Sequence, residues 1–118
     1  MDASFLKERT QKFALRVVQL VESLPPKRTA DILGRQLLRC GTSVGANYRA
    51  ACRAKSPADF IAKMGNVEEE TDESIYWMEL LVAAGIIPSN SIQPSLKEAR
   101  ELLAITVSSI NTARKNKS

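Results

Sequence analysis

Histidine is absent from the chain and cysteine occurs only twice, as Cys40 and Cys52, so the side chains that most often bind transition metals or relay protons are nearly missing. Without imidazole, Ser-His-Asp chemistry has no general base, and zinc centres, haem ligation and the Glu-x-x-His sites of di-iron bundles lose their usual ligands. Neither cysteine has a second thiol at ligand spacing. On a continuous helix Cys40 and Cys52 stand about 18 Å apart and cannot bridge, so both read as small buried hydrophobes of a reducing compartment. No enzymatic activity, metal or cofactor is expected.

Long apolar runs are missing as well. The longest outside glycine, Leu80 to Ala84, is a fraction of the roughly 20 residues that a membrane-spanning helix needs. The sequence opens without a charged-then-apolar leader, and the expectation is a cytoplasmic protein with no membrane association.

What is present is helical periodicity. With 118 residues, 44% hydrophobic and 25% charged, the chain fits one domain whose core needs neither disulfide nor metal. Four amphipathic helices are predicted, at about residues 4–24, 27–54, 57–84 and 91–114. Short connections between them give an all-α, up-down-up-down four-helix bundle.

Helix one carries Leu6, Phe13, Val17, Leu20, Val21 and Leu24 as its core stripe and ends at Pro25-Pro26. Ala14, Leu15 and Val18 widen its apolar surface beyond what one neighbour covers. Helix two begins near Lys27 to Thr29, with Thr29 a candidate N-cap. Ser56-Pro57-Ala58-Asp59 opens helix three with an N-cap serine, a proline at the first helical position and an acid at the third, and Gly85 closes it. In helix four, Ile92, Leu96, Ala99, Leu103, Thr106, Val107 and Ile110 repeat at helical spacing. Ser95 and Glu98 match a capping box after Pro94, and the tail from Arg114 to Ser118 is expected to fray.

Helix two divides into three stripes on a helical wheel. Leu33, Leu37, Cys40, Val44 and Ala51 form the apolar one; Arg28, Arg35, Arg39 and Arg53, with Arg49 beside them, form the opposite one; Gly34, Gly41, Gly45 and Cys52 run between. Each glycine costs about 1 kcal/mol against alanine inside a helix, so the bare stripe needs a reason, and close approach of another backbone supplies one. A local break at Gly41-Thr42-Ser43 is the alternative, against which the apolar period carries through unbroken. Gly41 and Gly45 are accordingly candidates for a subunit interface, together with Tyr76, Trp77 and Leu80 on the outer side of helix three.

Charge is polarised between the two central helices. Residues 27–55 carry seven basic side chains and one acidic, whereas residues 56–85 carry one basic and seven acidic. The arginines of helix two therefore have three readings: contacts to phosphates, a solvated face, or pairing with helix-three carboxylates within the subunit or across an interface. Arg39, near Glu70 and Glu73 in register, is the one most open to pairing. The run Glu68 to Glu73 points all round its helix and does not converge on one cation.

The segments Gln36-Leu37-Leu38-Arg39, Ser43-Val44-Gly45-Ala46-Asn47, Ser56-Pro57-Ala58-Asp59-Phe60 and Glu69 to Leu81 resemble bacterial four-helix-bundle proteins first noticed as reading frames in intervening sequences of large-subunit ribosomal RNA genes. The resemblance spans nearly the whole chain. Where many members follow the asparagine with a Glu-Gly pair, this sequence has Ala50-Ala51, and a role of that glutamate does not carry over. The resemblance implies a left-handed bundle, commonly a homopentameric ring without enzymatic activity. It also implies kinship with accessory proteins of diversity-generating retroelements, which form similar rings and bind nucleic acid beside a reverse transcriptase. Two functions follow: a nucleic-acid-binding accessory or scaffold ring using Arg28, Arg35, Arg39, Arg49 and Arg53 on RNA or DNA, or a protein-interaction oligomer that binds no nucleic acid.

Overall fold

A computed structural model of the chain describes residues 3–117. It contains four α-helices and no strand among them: α1 (Ala3–Glu22), α2 (Arg28–Ala51), α3 (Pro57–Ala83) and α4 (Ser89–Lys117). Consecutive helices pack on one another and α1 meets α4, so the four close into a ring, with no close backbone approach across the diagonals among the described residues. The result is a rod of 50 × 20 × 20 Å.

The apolar stripes read from the sequence meet along its axis. Phe13, Val17, Leu37, Cys40, Val44, Met78, Leu81 and Ile92 are each 0% exposed. Hydroxyls inside the core are satisfied locally, since Thr10, Thr71, Ser74 and Thr106 each donate to the carbonyl one turn back at 2.7–2.8 Å. Such back-bonding lets a polar side chain sit in an apolar layer without leaving an orphan donor. In α4 the core position is Leu102, at 2% exposure, with Leu103 half-buried and Val107 at 37%. The stripe of α4 thus turns further than the sequence spacing implied.

Both boundaries of α3 follow from local chemistry. Ser56 caps its start by accepting from the Asp59 amide at 3.0 Å, while the Asp59 carboxylate accepts from the Lys55 amide at 3.0 Å. At its end Gly85 takes φ +74°, where a side chain would be strained. The Gly85 and Ile86 amides donate back to Val82 and Leu81 at 2.9 and 3.0 Å, a Schellman closure.

Three boundary expectations are corrected. Thr29 does not cap α2: Lys27, held extended after two prolines, occupies the cap position without a side-chain bond, and Thr29 lies in the first turn. Ser95 and Glu98 do not start α4, which begins at Ser89 and carries Pro94 inside it. Burial of Ile92 commits the earlier turn to the core, and Glu98 is taken by Arg9 of α1 instead. α4 also runs past its predicted end near residue 114, to Lys117; Ser118 lies outside the described residues. No helix among the described residues is long and apolar enough to cross a membrane.

Candidate nucleic-acid and assembly surfaces

The glycine stripe exists because α1 lies on it. A Cβ placed on Gly41 would come within 2.8 and 2.9 Å of the two Val17 methyls, one on Gly34 within 2.7 Å of Leu24 Cδ1, and one on Gly45 within 3.1 Å of Thr10 Oγ1. α2 runs unbroken through Gly41, as its apolar period required. The close approach is made by α1 of the same chain, so Gly41 and Gly45 belong to an internal seam. That contact accounts for the stripe without a second subunit.

On the other side of α2, Arg28, Arg35, Arg39 and Arg49 are all exposed. Their electrostatic situations differ. Arg39 reaches across to α3 and binds two carboxylates, Glu70 at 3.3 Å and Glu73 more closely. Arg35 pairs with Asp31 on its own helix at 3.1 Å with both side chains mostly in water, a geometry that contributes little. Arg28, Arg49 and Arg53 have no carboxylate partner among the described residues. Arg53 also leaves the line, because α2 ends at Ala51 and Arg53 stands in the following turn.

Glu73 links this pairing to the aromatics. Its Oε2 accepts from Trp77 Nε1 at 2.9 Å, and the Tyr76 ring packs edge-on against Trp77 at 5.0 Å and 75°. Tyr76 is 56% exposed, whereas Trp77 is half-buried and packs on the core, so Trp77 is in part a core residue. Leu80 is half-buried as well. The Trp77 N–H first, and then the Arg39 guanidinium, hold the Glu73 carboxyl below its ordinary range. A carboxylate depressed in this way stabilises the fold above its unfolded value of about 4.3 and loses that contribution as pH falls through its folded value. Trp77, the sole tryptophan, reports on it directly. On acid titration the indole emission is expected to stay constant through the ordinary glutamate range and to change only below it. In Arg39→Gln the midpoint should move up part of the way, because the indole bond remains. An unshifted midpoint in the parent protein would remove the network from the argument.

Model matching places residues 5–108 within the family of 23S rRNA-intervening sequence proteins. The chain belongs to this family. A crystal structure of a protein with unknown function from the S23 ribosomal protein family of Bacteroides thetaiotaomicron superposes with a TM-score of 0.87 at 33% identity. The match covers 94% of this chain and 99% of that one. No curated protein matches the sequence.

Two features of this intervening-sequence protein escaped the sequence reading. Arg9 of α1 forks onto Glu98 of α4 at 2.7 and 2.8 Å and reaches Glu101 at 2.7 Å. Neither carboxylate is near it in sequence, and only the bundle's closure brings them together. The second feature is an open cavity of about 650 Å³ at the end of the bundle where α1 starts, α2 ends, α3 starts and α4 ends. Tyr48, Cys52, Lys55, Phe60 and Ala113 are among its walls. A narrower groove of about 480 Å³ runs from the same end along the α1–α2 seam, with Lys7 and Arg49 on its sides and Gly45 and Ala46 on its floor.

Proposed function

We propose that this protein is a non-enzymatic, cytoplasmic oligomer that binds nucleic acid through the arginines of α2, as an accessory or scaffold. The observation that carries the reading is the state of those arginines: Arg28, Arg49 and Arg53 stand exposed without carboxylate partners, although α3 beside them is strongly acidic. A guanidinium left open in such surroundings is free to fork onto phosphate oxygens. Arg39 serves here as a fastener between α2 and α3, and Arg35 contributes once displaced from Asp31. The bundle itself is taken as up-down-up-down, in keeping with helices that pack in sequence order across short connections, and as left-handed, which the family resemblance implies. A ring of five subunits, and a place beside a reverse transcriptase, extend the family resemblance.

A pure protein-interaction oligomer is the second reading, favoured by Leu15 at 55% and Tyr76 at 56% exposure on different faces of the bundle. Retention on RNA and single-stranded DNA as a function of salt separates the two. Retention at about 50 mM salt is expected to fall steeply as salt rises. Arg28→Glu with Arg35→Glu and Arg53→Glu should lower the log–log slope by roughly two to three units while light scattering after size exclusion still shows the oligomer. Absence of retention would hand the function to the interaction reading, and a monodisperse monomer at micromolar concentration would end both.

A further inference from the structure

Five cations outside any ion pair share one end of the bundle. Arg49 lies in the last turn of α2, Arg53 and Lys55 in the turn that follows, Arg114 near the end of α4, and Lys7 near the start of α1. None has an ion-pair partner among the described residues. The acids nearest to them in the chain are engaged, Glu8 by Lys12 at 3.1 Å and Asp59 by Lys63 at 2.8 Å, with the Lys55 amide and charge also acting on Asp59. No acidic residue follows Glu101 in the sequence, so α4 brings only positive charge to this end. Toward the opposite end of α2, Asp31 pairs with Arg35 one turn away, and Lys27 and Arg28 have no ion-pair partner among the described residues.

The open cavity lies at this same end. Lys55 lines it directly, while Arg49, Arg53 and Arg114 each follow immediately on a lining residue, Tyr48, Cys52 and Ala113. Its walls are otherwise largely apolar and include Phe60 and the edge of Tyr48, which is itself 7% exposed. At about 650 Å³ it has the size of a small-ligand site. A single small anion is satisfied by one or two donors. Cations drawn from α1, α2, the α2–α3 turn and α4 suit a polyanion whose charges are spaced along a chain. An apolar cavity among them suits a flat base free of its partner, which a duplex keeps inside its stack.

We propose that this end of the bundle binds single-stranded nucleic acid, with phosphates on Arg49, Arg53, Lys55 and Arg114 and an unpaired base in the cavity against Phe60. The proposal rests on the nucleic-acid reading above, narrows its contact to the end of α2 that carries Arg49 and Arg53, and adds the single-stranded form.

The test uses fluorescence anisotropy of a labelled single-stranded RNA of about 20 nucleotides and of the matching duplex at about 50 mM salt. The wild type should hold the single strand at least tenfold more tightly. Arg53→Glu combined with Lys55→Glu and Arg114→Glu should weaken it by about a hundredfold, and Arg28→Glu with Arg35→Glu by less than about tenfold. Ala54→Trp, which fills the cavity and leaves every charge in place, should weaken the single strand and not the duplex. Circular dichroism checks that each variant is folded. Bound RNA should also slow alkylation of Cys52, which lines the cavity, while Cys40 is buried. Equal affinity for duplex, an unprotected Cys52, or retention lost through Arg28 and Arg35 alone would overturn the proposal and leave the nucleic-acid reading standing. Absence of any retention by the wild type would overturn that reading and this proposal with it.

Discussion

Gly41→Leu is expected to destabilise the protein by about 3 kcal/mol or more, the upper range for overpacking a tight helix contact. Val17 is 0% exposed, and both its methyls lie within 3 Å of where a Cβ on Gly41 would stand, at 2.8 and 2.9 Å. A β-branched side chain in a helix has essentially one rotamer, so Val17 has no second position to move to. α1 would have to lift from α2. Alanine at position 41 meets the same methyls, and its gain of about 1 kcal/mol in helix propensity is opposed by that clash. Gly65 of α3 is the control, because a Cβ there meets nothing within 4 Å. Gly65→Ala should raise stability by up to about 1 kcal/mol. Thermal melts of the two variants against the parent decide the matter, and equal melting of Gly41→Leu and parent would mean that α1 does not lie on the glycine stripe.

That stripe also marks how far the sequence could be read. Three glycines in one line of a helix announce that something approaches closely, and they name the face. They do not say whether the approaching backbone belongs to the same chain, since Val17 and Gly41 are joined only by packing. Ser56, Pro57, Asp59 and Gly85 were legible for the opposite reason: each acts on backbone groups within a few residues, so the signal and its partner sit in one stretch. Thr29 and Ser95 carry the same kind of local signal and were overridden, Thr29 by the extended chain after Pro25-Pro26 and Ser95 by the burial of Ile92. Helix caps contribute about 1 kcal/mol, and a buried isoleucine contributes more.

The candidate surfaces follow the same rule. The direction of each arginine of α2 was readable from the wheel, whereas its partner was not. Glu70 and Glu73 lie 31 and 34 residues from Arg39. Arg9 is 89 residues from Glu98. The end cavity is assembled from all four helices and the α2–α3 turn, and no window of sequence contains it. Lys55 and Arg114 look like an ordinary linker and tail until α2 ends at Ala51 and α4 is seen to stay helical to Lys117.

Phe13→Ala should cost about 3–5 kcal/mol, a large share of the 5–15 kcal/mol that holds a domain of this size. Phe13 is 0% exposed and is among the largest fully buried side chains, on the helix that meets α2 along its glycine stripe. Removing the ring opens a cavity that Val17 and the rest of α1 cannot close while Gly34, Gly41 and Gly45 fix their distance from α2. Leu15 lies two residues further on the same helix, turned away from the core and 55% exposed. Leu15→Ala should leave the melting free energy of the folded subunit within about 0.5 kcal/mol, as for a surface position. On the proposal that the protein assembles with α1 at a subunit contact, it should nonetheless shift the sedimentation of the protein toward smaller species, because Leu15 would then lose its neighbour. The two variants therefore separate stability from assembly on one helix. If Leu15→Ala left both melting and sedimentation unchanged, α1 would contribute nothing to the oligomer, and the assembly surface would have to be sought around Tyr76 on α3.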